Sequence, residues 1–416
     1  MEREIVIKEL VFLKNRFNNN ILLERISNIL ILICMVFIGS DRISFQIASM
    51  NIRIVQILLI IETIVLILLG SYRLIFSTPI LLVFITHCIS TIFSFNIKSS
   101  IAYDIWIIYN VLFLLFLFYS WAKNNTKEKV INFILISFLV QSIYIYIQFF
   151  WGVAGYNDFL FPMQYHLGVY RPSIWFYEPS YLATYFVIYF SISLYLAINL
   201  KCKKYYFHAI NSLLSLVFIT SSVGYLAIGF TVFVIIILNF KQILKINKKV
   251  LLILTLTFIF IILIISFLNL NFINVFLGRL FTSGIIDSSG GRVDNWKFTF
   301  EIFTQYPIFG IGPNAYPTFT KLNHPPTNVT LELLVNTGVI GFFTFIYFVG
   351  NILVKGYKNN NILSIYNKAI VVSIVIFIVT LQANQNYMRL YLWMFLGICL
   401  GIISEKEEIE EEIKNI

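Results

Sequence analysis

Charge is what this sequence has least of. Asp, Glu, Lys and Arg make up only 12% of it, against about a quarter in an ordinary soluble domain. With 59% apolar residues beside so little charge, the chain carries more apolar surface than a soluble fold can bury, so a lipid bilayer is the first expected partner. Cysteine is scarcer still. Of the 4 present, Cys34, Cys88 and Cys399 lie inside apolar runs and Cys202 in the basic stretch Lys201 to Lys204. None forms a CxxC pair, which excludes a disulfide framework and a thiolate metal site; no metal and no cofactor are expected. A cleavable leader is missing too: Glu2, Arg3, Glu4, Lys8, Glu9, Lys14 and Arg16 precede the first apolar run, and no small-residue cleavage site follows it. The first span is therefore expected to stay as an anchor.

What is abundant is aromatic: 42 Phe, 24 Tyr and 6 Trp suit lipid-facing surfaces and interfacial belts. The formal charge of +10 sits in short clusters between apolar runs rather than along one face, so topology explains it and nucleic acid does not. A crossing helix needs roughly 20 apolar residues. Twelve segments qualify: about 22–40, 52–70, 74–94, 101–121, 130–151, 178–199, 206–221, 223–240, 250–269, 328–351, 366–386 and 388–404. The fold expected is an all-α, polytopic transmembrane bundle. The seventh and eighth segments separate only if Ser221-Ser222-Val223-Gly224 supplies a tight turn.

Short cytoplasmic loops collect Lys and Arg. With an inside N-terminus, Arg42, Arg53, Lys98, Arg171, Arg279, Arg292, Lys297, Lys321 and Arg389 fall outside, which leaves 21 of the 30 basic residues inside. The resulting plan is a cytoplasmic segment 1–21, one transmembrane domain 22–404 with both termini inside, and an acidic cytoplasmic tail 405–416. Two long outer connections, 152–177 and 270–327, stand apart. They are rich in Gly, Pro and aromatics, and Trp151, Trp175, Trp296 and Tyr316 argue for packed caps over an outward-facing cavity rather than disorder.

The candidate chemistry sits in those connections. In Arg171-Pro-Ser-Ile-Trp-Phe-Tyr-Glu178-Pro179-Ser180, Pro179 fits a first helical turn, so Glu178 lies at the positive end of the sixth helix. Two readings stand: a helix-end carboxylate stabilised by about 0.3–1 kcal/mol, or a base that accepts a hydroxyl proton while Arg171 binds an anion. The second constellation runs from Ser289-Gly-Gly-Arg292 through Trp296 and Tyr306-Pro-Ile-Phe-Gly310-Ile-Gly312 to His324 and Asn328. Guanidinium forks suit a diphosphate, so Arg171 and Arg292, with Arg279, are the candidate diphosphate ligands; Lys297 and Lys321 read as ordinary loop cations. His324 is the second candidate base or else a polar contact. Asn328 and Glu332 share a helix face at i, i+4 and support the site with Trp296. Glu62, alone in the second span, is protonated, paired across helices, or part of a conduction path.

In these patterns, together with Leu331-Glu-Leu-Leu-Val-Asn-Thr-Gly338-Val-Ile-Gly341, the chain resembles the bacterial O-antigen polymerases (Wzy type) and O-antigen ligases. The resemblance implies a membrane glycosyltransferase that uses sugar chains carried on undecaprenyl diphosphate, at the outer face of the cytoplasmic (inner) membrane. Glu178 or His324 would then be the base and the arginines would hold the diphosphate; a chain-length regulator is a candidate protein partner. Ligases tend to carry histidine directly before the asparagine, where this chain has Thr327, and Glu178-Pro179-Ser180 is more like the polymerases. Polymerase is accordingly the leading reading, for O-antigen, capsule or a similar surface polysaccharide. Ligase is the alternative, and a non-enzymatic lipid or polysaccharide transporter using Glu62 is the second alternative.

The charge distribution yields a direct test. Reporters fused after Lys204, after Lys249 and at the C-terminus are expected to report cytoplasm, and one at Asp287 the exterior; a cytoplasmic signal at Asp287 would reverse the topology.

Overall fold

The computed structural model describes residues 21–47, 50–166, 169–240, 292–322, 326–358, 365–383 and 387–414. Helix dominates, as the apolar runs require, since only a helix satisfies every backbone group within one segment. Residues 21–37 form α1. There follow a hairpin of β1 (Ser44–Ile47) and β2 (Met50–Arg53), then α2 (Ile54–Leu68), α3 (Thr78–Ile92), α4 (Ile97–Lys123) and α5 (Lys127–Val153). Two more hairpins come next, β3 (Asp158–Phe159) with β4 (Phe161–Pro162) and β5 (Gln164–His166) with β6 (Val169–Arg171). Beyond them lie α6 (Pro179–Leu200), α7 (Lys203–Phe218), α8 (Ser222–Leu238), α9 (Arg292–Gln305), α10 (Tyr316–Thr320), α11 (Val329–Lys358), α12 (Ile365–Thr380) and α13 (Leu390–Lys414).

Among the described residues, five helices are long and apolar enough to cross a membrane: Ile97–Lys123, Lys127–Val153, Pro179–Leu200, Val329–Gly356 and Ile365–Ala383. Ile54–Leu68, Thr78–Ile92, Ser222–Leu238 and Leu390–Ile403 are shorter apolar helices. These are the marks of a membrane protein. The expected span at 250–269 and, of the expected connection 270–327, residues 270–291 and 323–325 lie outside the described residues.

The turn expected near Ser221 is present. Thr220 takes a left-handed φ of 53°, Ser221 precedes the first turn of α8, and α7 and α8 pack as neighbours. Caps set other helix starts: Asn96 accepts from the Ser99 N–H at 3.1 Å, and Asn328 from the Leu331 N–H at 3.0 Å.

At the centre stands α6, with 89% of its apolar window buried against 39% in α11. It packs on α7, α8 and α12. Phe138 of α5 stacks on its Tyr189 at 4.9 Å, and Tyr185 meets Tyr391 of α13 at 5.0 Å. The approach of α13 to α4 depends on small residues. A Cβ at Gly397 would stand 2.5 Å from the Leu115 carbonyl, and one at Gly401 2.6 Å from that of Tyr119. Glu62 is fully buried in α2, where its Oε1 accepts from Ser27 of α1 at 2.5 Å, so pairing across helices is the arrangement found.

One helix is broken. Within α11, Gly338 has φ 66° and ψ −170°, which opens the helical ladder. The Tyr306 to Gly312 segment closes it with backbone bonds: Ile311 N–H to Val335 O at 2.8 Å, Gly312 N–H to Asn336 O at 3.1 Å, and Val339 N–H to Pro307 O at 2.8 Å. From α3, the Ser90 hydroxyl lies 2.7 Å from the carbonyls of both Phe309 and Asn336. A Cβ at Gly338 would stand 2.0 Å from Ile308 O, so the contact excludes any side chain.

Gly338→Ala is therefore expected to destabilise the protein by at least about 1–3 kcal/mol, read as a lowered melting temperature in detergent. Gly350→Ala, in the same helix but with nothing within 4 Å of its added carbon, should be neutral or stabilising.

Candidate active site

The element that organises the site is a carboxylate remote in sequence from both expected constellations. Asp41, at 2% exposure, lies between the end of α1 and β1. Its Oδ1 meets Arg53 Nη2 at 2.8 Å, and its Oδ2 meets Arg389 Nη1 at 3.0 Å. Arg389 also reaches Oδ1, at 3.1 Å, through the same nitrogen. Its guanidinium lies over the Tyr181 ring, 4.0 Å from the centroid, a cation–π contact. Burial, the largest influence, lowers the pKa of Arg389, but Asp41 together with Tyr391 and Tyr181 leaves it above its ordinary value.

Next to it, Arg42 binds the 152–177 segment. Its Nη1 donates to Pro162 O, its Nη2 to Tyr177 O at 3.0 Å, and its backbone N–H to Trp175 O at 3.0 Å. Burial draws its pKa below the ordinary value, against the attraction of Asp41 and Tyr177. Gln148 of α5 fixes the same segment from beneath, accepting from the N–H groups of Ser173 and Ile174 at 3.2 and 2.8 Å. Trp175 stacks on Tyr144 at 5.6 Å. The aromatic-rich segment is thus packed on the helices.

Together these elements wall a cavity of about 520 Å³ lined by Arg53, Gln164, Tyr177, Glu178, Tyr181, Met388 and Arg389. Glu178 is the residue before the first turn of α6, with Pro179 opening the helix as its sequence position indicates. Its Oε2 accepts from the Ser180 hydroxyl at 2.9 Å and makes no backbone cap bond. A half-buried glutamate and two arginines therefore line one cavity. A hydroxyl proton could be accepted there beside a bound anion.

Other expected site residues fall differently. Arg171 pairs in register with Gln164 across β5 and β6, and the cavity wall carries Gln164 rather than Arg171. Trp296 donates its indole N–H to Thr327 Oγ1 at 3.1 Å, tying α9 to the start of α11. Asn328 is the α11 cap and also donates to Gln382 O at 2.8 Å, so its amide is engaged in structure. Glu332, 2% exposed, accepts from Tyr103 at 3.1 Å through one oxygen, while the other has no partner among the described residues. Arg279 and His324 lie outside the described residues, and of Arg292 only the backbone, opening α9, lies within them. Among the described residues no group of His, Cys, Asp and Glu is placed to hold a metal ion.

Residues 207–346 match the family model described as O-Antigen ligase. That match supports a place for the chain in the O-antigen ligase and polymerase superfamily, and a membrane enzyme of O-antigen ligase or polymerase type. It spans α7 to the first part of α11, so it takes in Arg292, Trp296, His324, Asn328, Glu332 and the Gly338 break. Glu178 and the Asp41 cluster lie outside it. No curated protein and no solved structure matches the chain.

Asp41, Arg53 and Arg389 were within reach of sequence reasoning in one respect. Both arginines belong to the nine cations left on the outer side by the charge count, where a cation stands against the usual bias. Asp41, beside Arg42, was their available partner.

Asp41→Asn leaves Arg389 buried without its anion, and the expected cost is about 3–5 kcal/mol, measured by thermal unfolding of the purified protein. An unchanged melting temperature would mean that Asp41 does not hold the cluster.

Proposed function

We propose that this membrane enzyme polymerises oligosaccharide repeat units carried on undecaprenyl diphosphate, at the outer face of the bacterial cytoplasmic membrane, with both termini inside. The observation that supports it is the cavity lined by Glu178 together with Arg53 and Arg389. In the reaction, an acceptor-sugar hydroxyl attacks the anomeric carbon of the donor. A new glycosidic bond forms as the bond from that carbon to the diphosphate oxygen breaks, and the lipid diphosphate leaves with the bond's electron pair. Glu178 takes the hydroxyl proton. Ser180 holds one of its carboxylate oxygens, which leaves the other for the acceptor. Arginines stabilise the charge gathering on the leaving group; Arg171, Arg279 and Arg292 remain candidates for that role.

Transfer of a finished chain to a different acceptor is the second reading, favoured by the description of the matching family as O-Antigen ligase. Deletion followed by gel analysis of surface glycans separates the two. Single repeats on the surface indicate a lost polymerase, and long unattached lipid-linked chains a lost ligase. Repeats trapped inside would indicate a transporter and overturn both.

For the base, Glu178→Gln is expected to lower single-turnover chain extension by about 10²–10⁴-fold while lipid-linked donor still binds, with His324→Ala milder. A near-normal rate for Glu178→Gln with a collapse for His324→Ala would transfer the role to the histidine.

A further inference from the structure

Two residues that line the cavity with Glu178, Gln164 of β5 and Tyr177, have side chains that hydrogen-bond to nothing among the described residues. We propose that they form a saccharide subsite, with the Tyr177 ring stacked on one face of a pyranose unit and the Gln164 amide bonded to hydroxyls at its edge. Which unit it holds rests on the reading above: it is the acceptor sugar, whose hydroxyl Glu178 deprotonates.

Three observations carry the proposal. First, both residues are held by their backbones while their side chains are left unengaged. Gln164 pairs in register with Arg171 across the hairpin, and the Tyr177 carbonyl accepts from Arg42 at 3.0 Å. The two positions are thus fixed before anything binds, which lowers the cost of ordering them around a ligand. Second, Tyr177 is 48% exposed and stacks on no other ring among the described residues. The other tyrosine of the lining, Tyr181, already has Arg389 over its ring. Tyr177 therefore offers the open aromatic surface of the cavity, and a ligand face laid on it would displace water from an apolar ring. Third, the pair matches a sugar chemically. A pyranose presents weakly positive C–H groups on its faces, which suit the negative face of an aromatic ring. Around its edge it presents hydroxyls, which suit an amide with two N–H donors and a carbonyl acceptor. A lipid tail would use the ring and leave the amide unpaired, and a free phosphate would use the amide donors and leave the ring bare. The cavity, about 520 Å³, falls within the usual span of ligand pockets, about 300–1,000 Å³.

The test uses the full chain in phosphatidylcholine nanodiscs, with melting temperature as the folding control. The probe is the oligosaccharide released by mild acid from the lipid-linked repeat of the cells that make this protein, titrated calorimetrically. It carries the sugars but no diphosphate, so it reports the glycan contacts alone. Tyr177→Leu and Gln164→Ala are each expected to weaken its binding about tenfold, and Tyr177→Phe, which keeps the ring face, less than about threefold. Tyr165→Leu is the control: Tyr165 is 63% exposed, follows Gln164 on the same strand and so points to the other face of the hairpin. No binding by the wild type, or wild-type affinity in Tyr177→Leu and Gln164→Ala, would overturn the subsite. A loss in Tyr177→Phe as large as in Tyr177→Leu would overturn the stacking, and a tenfold loss in Tyr165→Leu would place the sugar outside the cavity. Chain extension of lipid-linked repeats is assayed separately on the same preparations. There Tyr177→Leu should raise the repeat concentration for half-maximal rate about tenfold and leave the maximal rate within about twofold. A wild type that binds the oligosaccharide through Tyr177 and Gln164 yet extends no repeat would remove the polymerase reading and leave the subsite standing. Extension by both variants with wild-type dependence on repeat concentration would do the opposite.

Discussion

A bilayer core offers little water to an unpaired peptide group, so an interruption of a crossing helix must be repaired by other backbone or by polar side chains. The architecture around α11 follows from that constraint. Gly338 interrupts the helix, and the orphaned groups of Val335, Asn336 and Val339 find partners in Pro307, Ile311 and Gly312. Because those partners belong to the connection after α9, that helix, with its Trp296 contact to Thr327, is docked at the start of α11. The break is what fixes a connection to the bundle.

The second fixed point is electrostatic. Asp41 joins the region after α1 to the start of α13, and Arg42 beside it joins both to the 152–177 hairpins. Two buried or partly buried cations on one anion make a poor stability device, since apolar replacements of such pairs are often neutral or stabilising. Their retention at a cavity wall fits a role in binding better than a role in holding the bundle together.

Much of the helical layout was legible because a crossing helix leaves a long apolar run. Glu178 and Pro179 were legible as a helix start because Pro lacks the N–H that a first turn leaves unused. Long-range pairing was not. Asp41 and Arg389 stand 348 residues apart, and nothing in local spacing joins them. Arg171, by contrast, is close to Glu178 in sequence, and the hairpin register then sets it opposite Gln164, a distinction of strand pairing that the run of residues does not express. Asn328 has the residue type of a cap as readily as that of a ligand, and its engagement with Gln382 became visible only once the connection before α13 was in place.

The repair of α11 also has a consequence in time. Chains are made from the N-terminus, so Pro307 to Gly312 leave the ribosome before Val335 to Val339, the groups they must pair with, exist. Until α11 is inserted, the Ile311 and Gly312 N–H groups and the Pro307 carbonyl lack their partners, although Ser90 and the Phe95 N–H can already bond the Phe309 and Ile311 carbonyls. Membrane insertion of α11 is then the event that docks it, and a chain truncated before Val339 would carry an unseated segment recognisable to quality-control proteases.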